Sequence, residues 1–332
     1  MMMKGLSDTI VKNYKKIVLA AIIVAAILPQ VVTNTYILHI CITGFIYATL
    51  AMSLNLTTGF AGQLVLGHAA LYGIGAYTGA LLMLHFKANF LLCLLASALF
   101  TSIFGFLLCI PALRLRGDYL AIVTLGFGEI ARLVFVNWKA VTRGPAGLPG
   151  IPAPSFFGFT VTSRVGFYYL GFILMLFVIF FMMRLIDSGI GMAMMTVKSD
   201  EIAAEAVGIQ ARKYKVMAFV ISSALAGMIG CFFAAYLAYI SPTVFVYNTS
   251  MTILTMVVVG GLGSIFGSVL GAAILVIVPE ALRFLNDYRM LIFGAMMVFM
   301  MIFKPEGLWG YNKRRKNIYK INSEATDHDT NS

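Results

Sequence analysis

GFYYLGFILMLFVIFFMMRLI, residues 166–186, carries one charged side chain, Arg184, in 21 residues. Coiled as an α-helix at about 1.5 Å per residue, the run is about 30 Å long, which matches the hydrocarbon thickness of a bilayer. It has no polar face, so it does not suit the surface of a water-soluble domain and finds its solvent in lipid. Similar runs flank it. They cover roughly 17–33, 36–56, 66–84, 90–112 and 119–137 before it, and 216–239, 249–263, 265–282 and 289–303 after it. The chain therefore reads as an all-α, polytopic integral membrane protein with about ten transmembrane helices, some broken or short. The eighth and ninth runs meet at Gly260-Gly261-Leu262-Gly263-Ser264, which is either a turn between helices or a break within one irregular helix.

Composition points the same way. Of the 332 residues, 61% are hydrophobic and 11% charged, against roughly a quarter charged in an average soluble domain. The net charge of +11 gathers in short loops and at both ends, without a basic groove interleaved with aromatics, so nucleic acid is not an expected partner. Positive charge is retained on the cytoplasmic side of a membrane. With the N-terminus inside and an even number of spans, 17 of the 24 Lys and Arg residues fall on the cytoplasmic side and 6 on the opposite side, while Arg132 sits within a span. Both termini are thus expected in the cytoplasm. Residues 1–16 read as a cytoplasmic N-terminal segment, 17–312 as the transmembrane domain, and 313–332 as a polar, disordered cytoplasmic tail. The first apolar run continues without a small-residue cleavage site, so no cleaved signal peptide is expected. Cys41, Cys93, Cys109 and Cys231 lie in apolar runs without metal-ligand spacing and read as small hydrophobes. No cofactor or metal set is visible.

Three stretches carry functional information. GFAGQLVLGHAALYGIGAYTG, residues 59–79, holds too many glycines for a helix sustained by propensity alone. Gly75 and Gly79 have the spacing of a helix-packing face. The stretch is either a tightly packed helix or a partly unwound element beside a substrate path, with Asn55, Gln63 and His68 as polar contacts. RLRGDYLAIVTLGFGE, residues 114–129, marks a cytoplasmic turn and the start of a span in which Glu129 and Arg132 fall on one helix face. Such a pair is either structural or functional.

The segment between Asp187 and Lys215 is the third stretch, and it is cytoplasmic in this topology. Within it, Lys198 to Gly208 reads as a short helix, with Ser199 as cap, Asp200 and Glu201 at the positive end, and Gly208 as terminator. Ile202, Ala203, Ala206 and Val207 form an apolar stripe. A helix of two turns is unstable alone in water, so the stripe must dock, either on this chain's own helix ends or on a cytoplasmic partner.

LNLTTGFAGQLVLGHAALYGIGAY, RLRGDYLAIVTLGFGEI, SGIGMAMMTVKSDEIAAEAVGIQARKYKVMAF, MVVVGGLGSIFGSVLGA and FKPEGLWG, in this order, resemble the permease subunits of bacterial branched-chain amino-acid ABC importers. More narrowly, the chain is similar to the second of the two homologous permeases that pair in such systems. The resemblance spans roughly residues 17–312. It implies a multi-pass subunit of the bacterial inner membrane that forms half of a translocation path. A homologous permease would complete the path, two cytoplasmic ATP-binding subunits would drive it, and an extracytoplasmic amino-acid-binding protein would deliver substrate.

Carried over by position, Ser199, Asp200, Glu201, Ala203, Ala204, Glu205 and Gly208 fall in the family's ATPase-coupling loop. The older signature of such loops has Glu two residues before Ala204, where this chain has Ile202. Asn55, Gln63, His68, Glu129, Gly260 and Gly261 become candidates for the translocation path. The chain has no GxxxxGK[ST] phosphate loop, so it is expected to be a transport subunit and not an enzyme. Permeases for urea and short amides resemble the same family and stay open as an alternative. An ion-coupled secondary transporter would want acids at the membrane midplane, where only Glu129 is clearly offered.

Overall fold

A computed structural model of the chain describes residues 25–30, 34–112, 115, 117–156, 159–281, 294 and 307–308. Most of the expected first span, the expected last span, both terminal segments, Arg114 and Arg116 lie outside the described residues.

The architecture is helical. Helix α1 (Thr35–Asn55) starts where the Asn34 side chain accepts from the Tyr36 N–H at 2.9 Å, and it runs on into a π-helical turn, Leu56–Phe60. It is followed by α2 (His68–Phe86), α3 (Phe90–Ala112), α4 (Asp118–Asn137), the single turn α5 (Lys139–Thr142) and α6 (Arg164–Ile186). Next come α7 (Gly189–Ser199), α8 (Glu201–Ala206), α9 (Ala211–Leu237), α10 (Tyr247–Gly260) and α11 (Ile265–Ala281). Among the described residues, the other regular elements are 3-10 turns at Gly144–Ala146 and Pro242–Val244 and four two-residue strands. Of these strands, β1 (Leu148–Pro149) pairs antiparallel with β4 (Tyr239–Ile240), and β2 (Ser155–Phe156) with β3 (Phe159–Thr160). The described parts of the proline- and glycine-rich segment, 138–156 and 159–163, are thus built of short turns and strand pairs.

Among the described residues, six helical segments are long and apolar enough to cross a membrane: Thr35–Phe60, His68–Phe86, Phe90–Pro111, Asp118–Asn137, Arg164–Ile186 and Ala211–Leu237. They match the expected second to seventh spans. The expected eighth is shorter. Helix α10 has 14 residues, and α11 is described over 17 residues, as far as Ala281. At about 1.5 Å per residue α10 is about 21 Å long, less than the roughly 30 Å of a hydrocarbon core. Of the two readings of 260–264, the structure selects a turn. The helices fold back as an antiparallel hairpin in which a Cβ on Gly260 would lie 2.1 Å from the Gly267 carbonyl, and one on Gly271 would lie 2.0 Å from the Met256 carbonyl.

Helix α9 is the central element, and small residues let its neighbours reach its backbone. A Cβ on Gly75 would stand 2.2 Å from the Gly227 Cα, and one on Gly79 would stand 2.5 Å from the Cys231 Sγ. These pairs advance together, so α2 and α9 run parallel, and the packing face expected at Gly75 and Gly79 is present. On the other flank, Gly105 meets Ser223 and Gly227 meets Thr101, so α3 runs antiparallel to α9. Without a hydrophobic force between helices in lipid, such close approach supplies the dispersion contacts that hold them. The outer surface is apolar: Leu92, Leu95, Leu99 and Ile103 on α3 and Ile173, Phe177 and Phe180 on α6 are exposed. That is the surface a lipid-facing protein presents.

Gly227→Leu is expected to destabilise the fold by about 1–3 kcal/mol or more, because its side chain must displace α3 backbone. Gly44→Ala and Gly126→Ala, where an added Cβ meets nothing within 4 Å, are expected to be neutral or mildly stabilising. Thermal unfolding in detergent distinguishes the two classes.

Candidate functional site

The two glycine-rich stretches singled out in the sequence meet. Where α1 changes to a π turn, the Ala61 N–H reaches the Leu56 carbonyl and the Gln63 N–H reaches the Thr57 carbonyl. The chain then runs without helix through 61–67 before α2. A π turn rearranges the backbone ladder, and the polar groups left over need partners when they are buried. Ser222 of α9 donates to the Ser53 carbonyl at 2.6 Å. Ser53 donates its own hydroxyl proton to Leu50 O, so in its 2.8 Å contact with His68 Nε2 the imidazole N–H is the donor.

Asn55 ties this break to the α10–α11 turn. It is 0% exposed, and its amide donates to Ser264 O at 2.9 Å and to Ser268 Oγ at 2.7 Å. Its Oδ1 accepts from the Gly263 N–H at 2.9 Å. Gly59, one turn on, has to lack a side chain, since a Cβ there would fall 1.7 Å from Asn55 Oδ1 and 2.4 Å from Gly263 N. On the far side of the turn, the Leu308 N–H donates to Val259 O at 3.0 Å, so part of the FKPEGLWG motif packs on the hairpin. Gly260 and Gly261 are buried in this packing.

The path candidates therefore separate. The polar side chains of Asn55 and His68 bond within the protein, and Gly260 serves close helix approach. Gln63 is 3% exposed with Oε1 unpartnered, and the buried Thr58 Oγ1 is likewise unpartnered, so the break retains two open acceptors. Glu129 pairs with Arg132 at 2.8 Å on a half-exposed face of α4, the same-face geometry expected. It also borders a narrow cleft between Leu66, Ala69, Gly128, Tyr247 and Ser250. That cleft has about 10 Å³ of free space, enough for no more than one water.

The second candidate region is the segment 187–210. Lys198 and Ser199 belong to α7, and the break before α8 is the extended backbone of Asp200 (φ −159°, ψ 111°). The expected Ser199 cap is a correction: Ser199 Oγ instead donates to Met195 O, and Asp200 caps α8 by accepting from the Ile202 and Ala203 N–H groups at 2.9 and 3.0 Å. Gly208 ends α8 as expected, with φ +85°. The Gly208 N–H reaches Glu205 O and the Ile209 N–H reaches Ala204 O, which is the paired closure of a Schellman motif.

Ala204 turns inward and joins Val197 and Ala211, with Ile209 against them, in a small core. Lys215 pairs with Glu201 at 2.8 Å. The opposite face of α8 stays open: Ile202 is 74% and Val207 73% exposed, with Ala203 and Ala206 exposed between them. Glu205 and Gly208 border an open groove of about 770 Å³ that continues along Ile209, Gln210, Arg212 and Lys213.

Sequence reasoning missed Lys198, Ser53, Ser222, Ser264 and Ser268. Their signal is polar side chains within or beside apolar runs, and the sequence places Lys198 at the start of the short helix without a partner for its ammonium. The Lys198 ammonium donates to the Gly59 carbonyl, and the loss of water around it lowers its pKa below the ordinary lysine value.

Asn55→Leu is expected to leave the Gly263 N–H without a partner and to loosen the hairpin by about 1–3 kcal/mol. In a chain stripped of native cysteines, maleimide labelling of Ser264→Cys should then accelerate about tenfold or more. Unchanged labelling would show that the clamp does not hold the turn.

Comparison with known proteins gives the family. Residues 36–301 match the model of the branched-chain amino acid transport system / permease component. The chain is 39% identical to the high-affinity branched-chain amino acid transport system permease protein LivM of Escherichia coli (strain K12), over 89% of this chain and 75% of that protein. It is 25% identical to the probable branched-chain amino acid transport permease protein LivM of Methanocaldococcus jannaschii, over 79% of this chain and 90% of the other. The LivH permease protein of Salmonella typhimurium is 24% identical, over 80% of this chain and 92% of its own. No solved structure matches the chain. With four-fifths of its length under one family model and this identity to LivM, the chain belongs to the permease family of branched-chain amino-acid ABC transporters.

Proposed function

We propose that this chain is the LivM-type permease subunit of an ATP-driven importer, forming half of the translocation path for branched-chain amino acids. The observation that carries the reading is α8, a two-turn helix held rigid from behind and left apolar in front. Its Asp200 cap, Schellman closure, alanine core and Lys215–Glu201 pair compensate for its shortness, since six residues alone do not sustain a helix in water. Exposed Ile202 and Val207 then suit a groove on a cytoplasmic ATP-binding subunit, as in helix-in-groove recognition.

The remaining assignments follow from this one. The bundle end that carries α7, α8 and the break in α1 faces the cytoplasm, which agrees with the 17-to-6 distribution of basic residues. The chain crosses the membrane about ten times, with both termini inside, and α10 and α11 together form a short hairpin. A homologous permease completes the path against the side of α4 that bears Glu129 and Arg132. A cleft of about 10 Å³ at Glu129 cannot hold an amino acid within one chain, which supports a shared path. Gln63 and Glu129 are the better path candidates, because Gln63 keeps an open acceptor and Glu129 lies on a half-exposed face. An extracytoplasmic binding protein delivers substrate to the opposite end, where β1 pairs with β4. Selectivity for leucine, isoleucine and valine rests on the names of the relatives, and uptake of urea or short amides in its place would reassign the substrate.

Ile202→Asp combined with Val207→Asp should leave the permease in the membrane but reduce co-purification of the ATP-binding subunits about tenfold or more, with loss of leucine uptake. Gly208→Ala strains a backbone at φ +85° and should weaken the helix end by about 1 kcal/mol, giving a partial loss. Retained ATPase binding in the double variant would sink the docking assignment.

A further inference from the structure

We infer that Lys198 is the positioning residue that joins the docking element to the broken end of α1, so that movement of α8 reaches the Asn55 clamp. The inference rests on the importer reading above and extends it from a docking surface to a route inward.

The contacts form a short, continuous series. Lys198 stands two residues before the Asp200 cap, on a helix whose Val197 packs with Ala204 of α8. A Cβ on Gly62 would lie 3.0 Å from the Lys198 Cγ and 3.5 Å from its Cβ, so the stem of the lysine lies directly against the unwound segment. The ammonium reaches the Gly59 carbonyl in the π turn. Gly59 is in turn held between Asn55 Oδ1 and the Gly263 backbone. From the exposed face of α8 to the α10–α11 turn, each step is one packed or hydrogen-bonded neighbour.

Charge explains why lysine fits this position. The last carbonyls of α1 carry the negative end of the helix dipole, and a cation there is favourable. A purely local cap would come from the same turn or the next few residues. Here the donor comes from 139 residues further along the chain, on the element that the docking helix itself is built against. Although much of the residue remains open to solvent, its ammonium has turned inward to a carbonyl at a half-buried position. A charge-assisted hydrogen bond of this kind is stronger than a neutral one and directional, so a displaced α7 would pull on the π turn.

The test uses the complete importer, with both permeases, both ATP-binding subunits and the binding protein, reconstituted in liposomes. Substrate-dependent ATP hydrolysis by the wild type tests the importer reading by itself. In the variants, the readout is the number of ATP molecules hydrolysed per leucine imported, alongside thermal stability and ATPase co-purification. Lys198→Met keeps the stem but removes the ammonium. It should co-purify normally yet raise the ATP-to-leucine ratio about tenfold, the scale of losing one charge-assisted hydrogen bond, while Lys198→Arg restores the wild-type ratio. Where Lys198→Met does not assemble, Lys198→Leu makes the same comparison with another side chain that cannot donate. An unchanged ratio with lowered thermal stability would make Lys198 a structural cap only and overturn the inference, as would failure of Lys198→Arg to restore coupling.

Discussion

Backbone groups freed at a break in a buried helix need partners, because water is not there to supply them. In this protein that requirement falls on Asn55. The helix α1 ends in a π turn, the α10–α11 hairpin turns through four residues, and both irregular segments are largely buried, Leu262 excepted. A single carboxamide, with a donor group and an acceptor, serves both at once through Gly263, Ser264 and Ser268. A charged side chain would have demanded a counter-ion, and an apolar one would have left the turn's N–H unpaired. The glycines around it follow from this clamp: Gly59 has to make room for the Asn55 side chain, and Gly260 lets the second hairpin arm approach.

The rest of the bundle gives this junction a fixed frame. Helix α9 brings α2 to one flank and α3 to the other through Gly75, Gly227 and Gly105, so backbone separations are set by contact and not by flexible side chains. Ser222 on the same helix reaches into the α1 break. The centre of the fold and the junction are therefore one packed unit, and the segment 187–210 meets it through Lys198 and through the Lys215–Glu201 pair at the start of α9. Small-residue interfaces hold the helices together, and two irregular turns are linked by a few directional hydrogen bonds.

Much of this was legible in the residues. Six expected spans coincide with long apolar helices, the Gly75–Gly79 packing face faces α9, and Glu129 pairs with Arg132 as i and i+3 neighbours. The small helix before Gly208 was also legible, together with its terminator and its exposed Ile202 and Val207. What failed was local and has a local cause. Ser199 and Asp200 are both good caps by type, and choosing between them requires knowing that α7 extends through Ser199, which depends on its packing and not on its composition. The role of Ala204 was hidden in the same way, since an alanine within an amphipathic stripe does not state which side of the helix is covered.

The sequence by itself determined the solvent, the all-helical class, most of the spans and the family, because hydropathy and charge act over twenty residues at a time and survive any packing error. Only the tertiary structure decided which polar groups are spent on holding the fold and which stay available. Asn55 and His68 look alike to Gln63 and Glu129 as polar residues near apolar helices, yet the first two bond to distant parts of the protein while Gln63 keeps an open acceptor and Glu129 pairs only with its helix neighbour Arg132 on a half-exposed face. The partners that make this difference are up to 213 residues away in the chain, at Ser264 and Ser268. Hydrogen bonding is directional and short-ranged, so it is settled by three-dimensional proximity that no local pattern of residues specifies.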